Sequence, residues 1–351
     1  MPYDTGLSYD DVLCVPQRSP VDTRSNVDLS TELAPGIELE LPILSAAMDT
    51  VTETEMARTL SAHGGLGVIH RFLPIDDQAT MVREVRTSDN RAAAAVGIAE
   101  DYHDRADALV EAGVEMVVVD VAHGHMERTI DAVTDLAETF PETPLCAGNI
   151  ATREGVADLD AAGADCVKIG VGPGSHCTTR EVTGFGVPQF TAVRRCADEA
   201  RERGVTTIAD GGIRTSGDAV KALLVGADAV MMGGYFAGAD ESPAPLVEVD
   251  GQLYKRSRGM STAAAAEDRD DKDESVAADE GVEALSEYQG PVTSLVQEFA
   301  AGMRSGMSYA GATTLETARA NAEFIRIESG VRERNSAHGV RPIESQGERS
   351  G

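Results

Sequence analysis

The stretch VGPGSHCTTR at residues 171–180 places one cysteine, Cys177, in a loop of glycine, proline and hydroxyl residues. Glycine and proline at this density interrupt both helices and strands. A thiol held at the mouth of a pocket can act as a nucleophile, whereas an isolated cysteine usually behaves as a small buried apolar residue. His176 precedes Cys177, but neighbours on a loop often point apart, so it is not assigned as a general base. The surrounding motifs must decide between the two interpretations of Cys177.

Glycine-rich motifs that are suited to phosphate recur at three places in the chain. GPGS ends at Ser175, DGG begins at Asp210, and MGG ends with Gly233 and Gly234. Glycine lets backbone N–H groups approach an anion closely, and the last strands of a β/α barrel commonly carry such a site. Glycines of tight turns are the alternative, but three motifs favour a phosphorylated small molecule. Asp210 could accept hydrogen bonds from sugar hydroxyls at the same rim.

The elements that would position these motifs are eight apolar runs, separated by segments with helical patterning. Near-continuous apolar runs are typical of parallel strands buried on both faces, and a helix, glycine stop and strand repeat in LVEAGVEMVVVD, LDAAGADCVKIG and LLVGADAVMMG. The pattern predicts an α/β fold, a (β/α)8 TIM barrel, with its functional groups at the carboxyl ends of the strands. An open doubly wound sheet is the alternative, but no G-x-G-x-x-G motif opens a helix after the first strand. The runs lie at 41–48, 65–70, 92–98, 116–122, 144–150, 166–172, 206–212 and 229–234.

The charge of the chain is strongly acidic. Its 351 residues carry a formal net charge of −29, and only four of the 30 basic residues are lysines. An acidic, lysine-poor surface suits a salt-rich cytoplasm, so we expect a halophilic host, and it disfavours nucleic acid as a partner. No apolar run reaches the length of a membrane span, no signal peptide is evident, and the cysteines show no disulfide framework. These features predict a cytoplasmic protein.

Two other sets of potential ligands are interpreted as structural. The HGH motif at 123–125 lacks a third ligand at suitable spacing, so we expect ordinary loop histidines. Asp120 is the better candidate in this region, because a carboxylate at the end of the fourth strand would face the barrel mouth. The cysteines expected to be structural are Cys14, Cys146, Cys166 and Cys196.

The chain is expected to form a single domain over residues 1–351, with its core at about 41–310. The stretch EDRDDKDESVAADEG is too acidic to pack, so a mobile acidic flap is predicted after strand eight, at about 258–290. A helix is predicted over 291–307. The tail at about 331–351 is expected to be loose or ordered by a partner.

Together these motifs resemble the IMP dehydrogenase/GMP reductase family over about residues 7–330. The resemblance rests on GVGPGSHCTTR, SAAMDTVTE, ADGGIRTSGD, MMGGYFAG, RGMS, DEG and MRSGMSYAGA. It implies a barrel that acts at C2 of a purine nucleoside monophosphate, through a covalent thioether on the cysteine, with NADPH or NAD as cofactor. It also implies a homotetramer and a monovalent cation, potassium.

The resemblance implies a role for each motif residue. Cys177 would be the nucleophile, Thr179 and Glu280 would handle protons, and Asp120 would meet the nicotinamide. The cation would be bound by the backbone carbonyls of Gly172, Gly174 and Cys177. The substrate would be bound by Ser175, Gly212, Gly233 and Gly234 at its phosphate, by Asp210 at its ribose, and by Met260, Met48 and Asn149.

Several features bear on which reaction is implied. SAAMDTVTE, DGGIRTSGD and RSGMSYAGA lean to the dehydrogenases. Dehydrogenases usually insert a pair of CBS modules after strand two, however, and none is present here. They also carry an Arg-Tyr pair in the flap, whose arginine activates water, whereas Arg269 is followed by Asp270. A neighbouring carboxylate would hold the guanidinium protonated and make it a poor base.

These features favour GMP reductase, which converts GMP and NADPH to IMP and ammonia. IMP dehydrogenase, which converts IMP, NAD and water to XMP and NADH, is the alternative. A nucleotide-binding barrel without catalysis is a remote alternative. It is suggested by Ser257, which stands where the family often has a phosphate-contacting tyrosine.

Overall fold

A closed barrel of eight parallel strands forms the centre of the computed structural model, which describes residues 4–87, 89–260, 280–328 and 331. Each of the eight apolar runs contains one barrel strand, so the predicted (β/α)8 TIM barrel is confirmed. Neighbouring strands follow the order of the chain, and the last pairs with the first. In chain order the strands are β1 (Val12–Cys14), β2 (Thr31–Ala34) and β3 (Ile37–Leu39), the barrel strands β4 (Ile43–Ser45), β5 (Leu66–Ile69), β6 (Ala93–Val96), β7 (Met116–Asp120), β8 (Leu145–Ile150), β9 (Cys166–Ile169), β10 (Thr206–Asp210) and β11 (Ala229–Met232), and then β12 (Leu246–Val249), β13 (Gln252–Arg258), β14 (Glu283–Glu287) and β15 (Phe324–Arg326).

Helices connect successive barrel strands and pack on the outside of the barrel. The three helices of the sequence repeat are each followed by a glycine at positive φ, namely Gly113 (+86°), Gly163 (+101°) and Gly226 (+134°), which confirms the glycine stops of the repeat. No helix within the described residues is long and apolar enough to cross a membrane. The helices are α1 (Thr54–Ala62), α2 (Ile75–Arg86), α3 (Tyr102–Glu111), α4 (Glu127–Thr139), α5 (Arg153–Ala161), α6 (Thr179–Thr183), α7 (Gln189–Arg203), α8 (Ser216–Val225), α9 (Val292–Tyr309), which confirms the helix predicted over 291–307, and α10 (Leu315–Asn321).

Two apolar layers stabilise the barrel. One layer packs the strands against the surrounding helices, and the other fills the barrel with side chains from alternate strand positions. The β2–β3 hairpin adds apolar side chains to the inner layer. At the carboxyl ends of β7, β9 and β10 the inward positions are charged instead, because side chains alternate along a strand and the last inward residues are Asp120, Lys168 and Asp210.

A three-stranded antiparallel sheet of β12, β13 and β14 supplements the barrel. Strand β14 falls within the range predicted for the flap and pairs with β13 over five residues. Residues 261–279, which include most of the predicted acidic flap, lie outside the described residues, as does the tail from residue 332. Strands β1 and β15 pair antiparallel and join the two ends of the described chain.

Candidate active site

A cleft of about 780 Å³ opens at the carboxyl end of the barrel. Its volume lies in the range of small-molecule sites. Loops after β4, β9, β10 and β11 form one side of the cleft, and the segments on either side of residues 261–279 contribute to the other. The lining residues that the sequence predicted are Met48, Gly174, Ser175, Cys177, Asp210, Gly212, Gly233, Gly234, Met260 and Glu280.

Cys177 is exposed in this cleft and belongs to a chain of three polar groups. Its Sγ donates to Oγ1 of Thr179 at 3.2 Å, and the Thr179 hydroxyl donates to Oε2 of Glu280 at 2.7 Å. A proton that leaves the thiol therefore has a hydrogen-bonded route to a carboxylate. The exposure of the thiol excludes the interpretation of Cys177 as a small buried apolar residue.

Backbone pairing brings Glu280 to the cysteine loop across a long sequence separation. Residues 280–282 run antiparallel to residues 176–178, with a bridge between Cys177 and Gly281. Two backbone hydrogen bonds of 2.9 and 3.0 Å join the segments, from Thr178 to Glu280 and from Val282 to His176. The nucleophile and the carboxylate therefore lie on two paired segments of backbone.

Glycine backbone faces the cleft beside Ser175. A Cβ on Gly234 would lie 2.6 Å from Oγ of Ser175, so only glycine leaves room for that hydroxyl. Gly212 has a φ of +76°, a conformation that favours glycine. Among the described residues, the N–H groups of Gly212 and Gly234 make no hydrogen bond to the protein. Free N–H groups and a hydroxyl in one concavity form a set suited to an anion.

Lys168 lies beneath the cleft with only 2% of its surface exposed. Its Nζ lies 2.8 Å from Oδ1 of Asp120 and 2.6 Å from Oδ2 of Asp210, and it also donates to Oδ1 of Asn149. Burial alone would lower the pKa of Lys168, but the carboxylates of Asp120 and Asp210 raise it above its ordinary value. Lys168 is therefore a fixed cation that orients both carboxylates.

Three of the predicted residues lie behind the lining of the cleft. Thr179 donates to Glu280 and Asn149 donates to Asp210 at 2.9 Å, so each is one contact away. Asp120 is two contacts away, because it pairs with Lys168, which pairs with Asp210. Their side chains therefore support groups that line the cleft.

The predicted cation site stays a prediction. Gly172 packs against the side chain of Arg180, since a Cβ on Gly172 would lie 2.6 Å from Arg180 Cγ. The carbonyl of Gly174 accepts the N–H of Cys177 at 3.2 Å. Both glycines thus shape the turn that presents the cysteine.

Three of the other cysteines are buried and one histidine of the HGH motif forms an ion pair, whereas Cys14 is partly buried. Cys146, Cys166 and Cys196 are buried, and burial raises the pKa of Cys196 to about 12. His125 pairs with Asp158 at 2.8 Å. Within the described part of the chain, no group of three His, Cys, Asp or Glu side chains is arranged to hold a metal ion.

Sequence reasoning assigned no role to Lys168, Gln189 or Arg258. Gln189 donates to the carbonyl of Asp210 at 3.0 Å, and Nε of Arg258 donates to Oδ2 of Asp49 at 2.8 Å. The position of Lys168 could have been noticed in the sequence, because it is a charged residue within an apolar run of a lysine-poor chain. Gln189 and Arg258 could not, because their partners are distant in the sequence.

Sequence comparisons agree with this geometry. Residues 6–338 match the family model described as the IMP dehydrogenase / GMP reductase domain. The inosine-5'-monophosphate dehydrogenases of Nitrosopumilus maritimus and Bacillus subtilis are 34% and 35% identical to this chain, cover 93% of it, and are themselves covered to 97% and 94%. Both alignments span 462 positions, more than the 351 residues of this chain, so these relatives contain segments that it lacks.

The three-dimensional structure is similar to that of a cysteine-to-alanine variant of GMP reductase from Trypanosoma brucei in complex with guanosine 5'-monophosphate. The TM-score is 0.92 at 31% sequence identity, covering 97% of this chain and 99% of that chain. The match of the family model to nearly the whole barrel, together with these relatives, shows that the chain belongs to the IMP dehydrogenase/GMP reductase family, whose members are NAD(P)-dependent oxidoreductases that act on IMP or GMP.

Proposed function

We propose that this protein is a GMP reductase, which converts GMP and NADPH to IMP and ammonia. The observation that carries the proposal is the hydrogen-bonded chain from Cys177 through Thr179 to Glu280. Such a chain can take the thiol proton and return it to a departing amine, and GMP reduction requires both transfers. The sequence supports the reductase further, because Arg269 is the only arginine in 261–279 and is followed by Asp270.

In the proposed reaction, the sulfur of Cys177 bonds to C2 of GMP. The thiol proton moves through Thr179 to Glu280 and then to the amino nitrogen on C2. The C2–N bond breaks and ammonia leaves, so that the purine is held as a thioether. Bound NADPH would supply a hydride to C2. The C2–S bond then breaks, and its electron pair returns to sulfur as IMP and NADP⁺ are released. A proton from solvent restores the thiol of Cys177.

The rim residues would hold the nucleotide for this chemistry. Oδ2 of Asp210 is fixed by Lys168 and Asn149, whereas Oδ1 has no protein partner among the described residues and can accept ribose hydroxyls. The phosphate would be bound by Ser175, Gly212, Gly233 and Gly234, and the base would contact Met48, Met260 and Glu280.

The surroundings of Asp120 fit a nicotinamide carboxamide. Oδ1 of Asp120 is held by Lys168, and Oδ2 has no protein partner within the described ranges, so it can accept an amide N–H. We therefore keep Asp120 as the residue that meets the nicotinamide. The homotetramer, the potassium ion, the cytoplasmic location and the halophilic host remain predictions.

IMP dehydrogenase is the second candidate, and the names of the curated relatives above favour it. In that reaction hydride leaves C2 of IMP, and water then releases the product as XMP. A base that activates water is required, and Arg269, the candidate for that role, lies outside the described residues.

Two spectrophotometric assays in about 1 M KCl separate the candidates. We expect NADPH consumption in the presence of GMP and no NADH formation from IMP and NAD. Activity with IMP alone would overturn the reductase, and Arg269→Ala should then lower XMP formation by about 10²-fold or more. Activity in neither assay would overturn both enzymes. Cys177→Ala is the control, and it should abolish whichever activity is present.

A further inference from the structure

Four polar side chains form a continuous line that begins at Ser175 and passes through the adjacent sheet: Ser175, His176, Ser257 and Ser286. Ser257 is the member that does not itself line the cleft. Nδ1 of His176 lies 3.1 Å from Oγ of Ser175, and Nε2 lies 2.8 Å from Oγ of Ser257. Oγ of Ser257 lies 2.9 Å from Oγ of Ser286. His176 is 8% exposed and Ser257 is 1% exposed, so the line is built into the protein. Of the four, the proposed reaction uses only Ser175.

An anion bound next to Ser175 would fix which group donates and which accepts in each hydrogen bond of this line. Ser175 must then donate its proton to the anion, so its oxygen is left to accept from an N–H at Nδ1 of His176. A neutral imidazole with its proton on Nδ1 presents a lone pair at Nε2, which accepts the hydroxyl of Ser257. Ser257 can in turn accept from Ser286. Each hydrogen bond in the line is then donated in the direction of Ser175 and the anion.

The neutral form of the ring is the form that this arrangement needs. A protonated ring would have no lone pair for Ser257, whose Oγ lies 2.8 Å from Nε2. Both ring nitrogens of His176 are engaged by serine hydroxyls, so the geometry fits a neutral ring that relays between them.

The arginines of the cleft are already engaged elsewhere. Among the described residues, Arg180 and Arg214 are the arginines that line it. Arg180 donates to the carbonyl of Val187 at 2.7 Å, and Arg214 pairs with Asp10 at 2.6 Å. A phosphate beside Ser175 would depend on oriented hydroxyl and amide dipoles.

We propose that His176 is a positioning residue for the nucleotide phosphate, which links the hydroxyl of Ser257 to that of Ser175 and directs Ser175 at the anion. The proposal rests on the nucleotide-binding function proposed above. It adds His176 and Ser257 to the determinants of phosphate recognition. It also gives the buried hydroxyl of Ser257, in strand β13 of the neighbouring sheet, a part in substrate binding.

Two substitutions of His176 test separately its hydrogen bond to Ser175, made by Nδ1, and its hydrogen bond to Ser257, made by Nε2. Asn at position 176 offers an amide near the position of Nδ1, and Gln offers one near Nε2. The probe is the covalent modification of Cys177 by 6-chloropurine ribonucleotide, which gives a half-saturating concentration and a maximal rate. We expect His176→Gln and Ser257→Ala to raise the half-saturating concentration about fivefold to tenfold at an unchanged maximal rate. His176→Asn should stay within about threefold of the wild type.

Controls separate the relay from general damage and from the proposed function. His125→Asn removes a loop histidine outside the cleft and should have no effect. The phosphate-free 6-chloropurine riboside should modify the wild type and His176→Gln equally. Equal half-saturating concentrations for the nucleotide in wild type and His176→Gln would overturn the relay alone. A wild type that the nucleotide never modifies would overturn the nucleotide-binding function and the relay with it.

A measurement on the wild type keeps the proposal testable if a variant fails to fold. In ¹⁵N spectra of the histidine rings, the signal of His176 is assigned by its loss in His176→Asn or by its change in chemical shift in Ser257→Ala. Saturation with ribose 5-phosphate should leave His176 neutral and protonated at Nδ1. A bound ring that carries its proton at Nε2, or that is doubly protonated, contradicts the relay.

Discussion

Cys177 differs from the other cysteines of the chain in having acid–base partners within reach. Its thiol contacts Thr179, which contacts Glu280, whereas Cys146, Cys166 and Cys196 are buried in the barrel and under its helices. The hydroxyl matters because it connects a sulfur and a carboxylate that otherwise lie on separate segments. The proposed proton transfer therefore depends on the side chain of Thr179, the first residue of the short helix α6.

Thr179→Val removes the connecting hydroxyl and keeps the shape of the side chain. We expect kcat to fall about 10²-fold to 10³-fold, because proton transfer loses its route, with the KM for nucleotide within about threefold. Steady-state kinetics with GMP and NADPH measure both values. Thr183→Val, on the exposed face of the same helix, is the matched control and should behave as the wild type. An unchanged kcat in Thr179→Val would show that Glu280 works without it.

Lys168→Met tests the buried cation between two carboxylates. The substitution leaves Asp120 and Asp210 facing each other without compensation, so the free energy of unfolding should fall by about 3–5 kcal/mol. Unfolding in guanidinium chloride measures the change. Arg201→Met removes an exposed ion pair with Asp198 and should cost less than about 1 kcal/mol. Equal losses in the two variants would contradict a structural role for Lys168.

At the scale of elements, strand β13 is anchored to the loop after β4. Arg258 ends β13 and donates to Asp49, which follows the cleft residue Met48 in the chain. Gly259 and Met260 come directly after this anchor and line the cleft. The ion pair therefore ties one end of the 261–279 segment to the substrate side of the barrel.

Arg258→Gln releases this anchor. We expect the KM for nucleotide to rise about tenfold, because Met260 loses its fixed position and Asp49 is left poorly paired. Arg256→Gln is the control on the same strand, since Arg256 is 61% exposed and pairs only at the surface with Glu283. It should stay within about twofold of the wild type. A similar rise in both variants would point to general weakening of the β13–β14 pair instead.

The elements of the barrel were predictable from the sequence because parallel strands buried on both faces leave unbroken apolar runs. The glycines of the cysteine loop and of its neighbours were predictable as turns because positive φ favours glycine, as at Gly172 and Gly212. Strand β14 was not, because it is short, partly exposed and contained in a range that looked too acidic to pack. The ion pair of Arg258 with Asp49 left no local pattern, since 209 residues separate the partners. Contacts of this kind are set by tertiary packing alone.

At the scale of the whole molecule, charge repulsion opposes folding. Acidic residues number 59 against 30 lysines and arginines, so about half of the carboxylates cannot be matched one to one with a basic residue. Salt shortens the range of their repulsion, from about 10 Å in 0.1 M salt to about 3 Å in 1 M salt. We therefore propose that the folded state depends on salt.

The melting temperature should rise by about 5–10 °C when KCl is increased from about 0.1 M to about 1 M. Differential scanning calorimetry measures the change. Tetramethylammonium chloride should raise the melting temperature as much as KCl if the cause is screening. A melting temperature that is flat or falls with salt would contradict the halophilic interpretation of the charge.

The residues on both sides of segment 261–279 are anchored to the barrel, so the segment can be exchanged between two fixed points. One end follows β13 and the Arg258 anchor, and the other enters the backbone ladder between residues 280–282 and the cysteine loop. Its sequence can therefore diverge without displacing Glu280 from Thr179. Under the proposed function, exchange of this segment would change whether the thioether receives hydride or water, while the barrel beneath it stays the same.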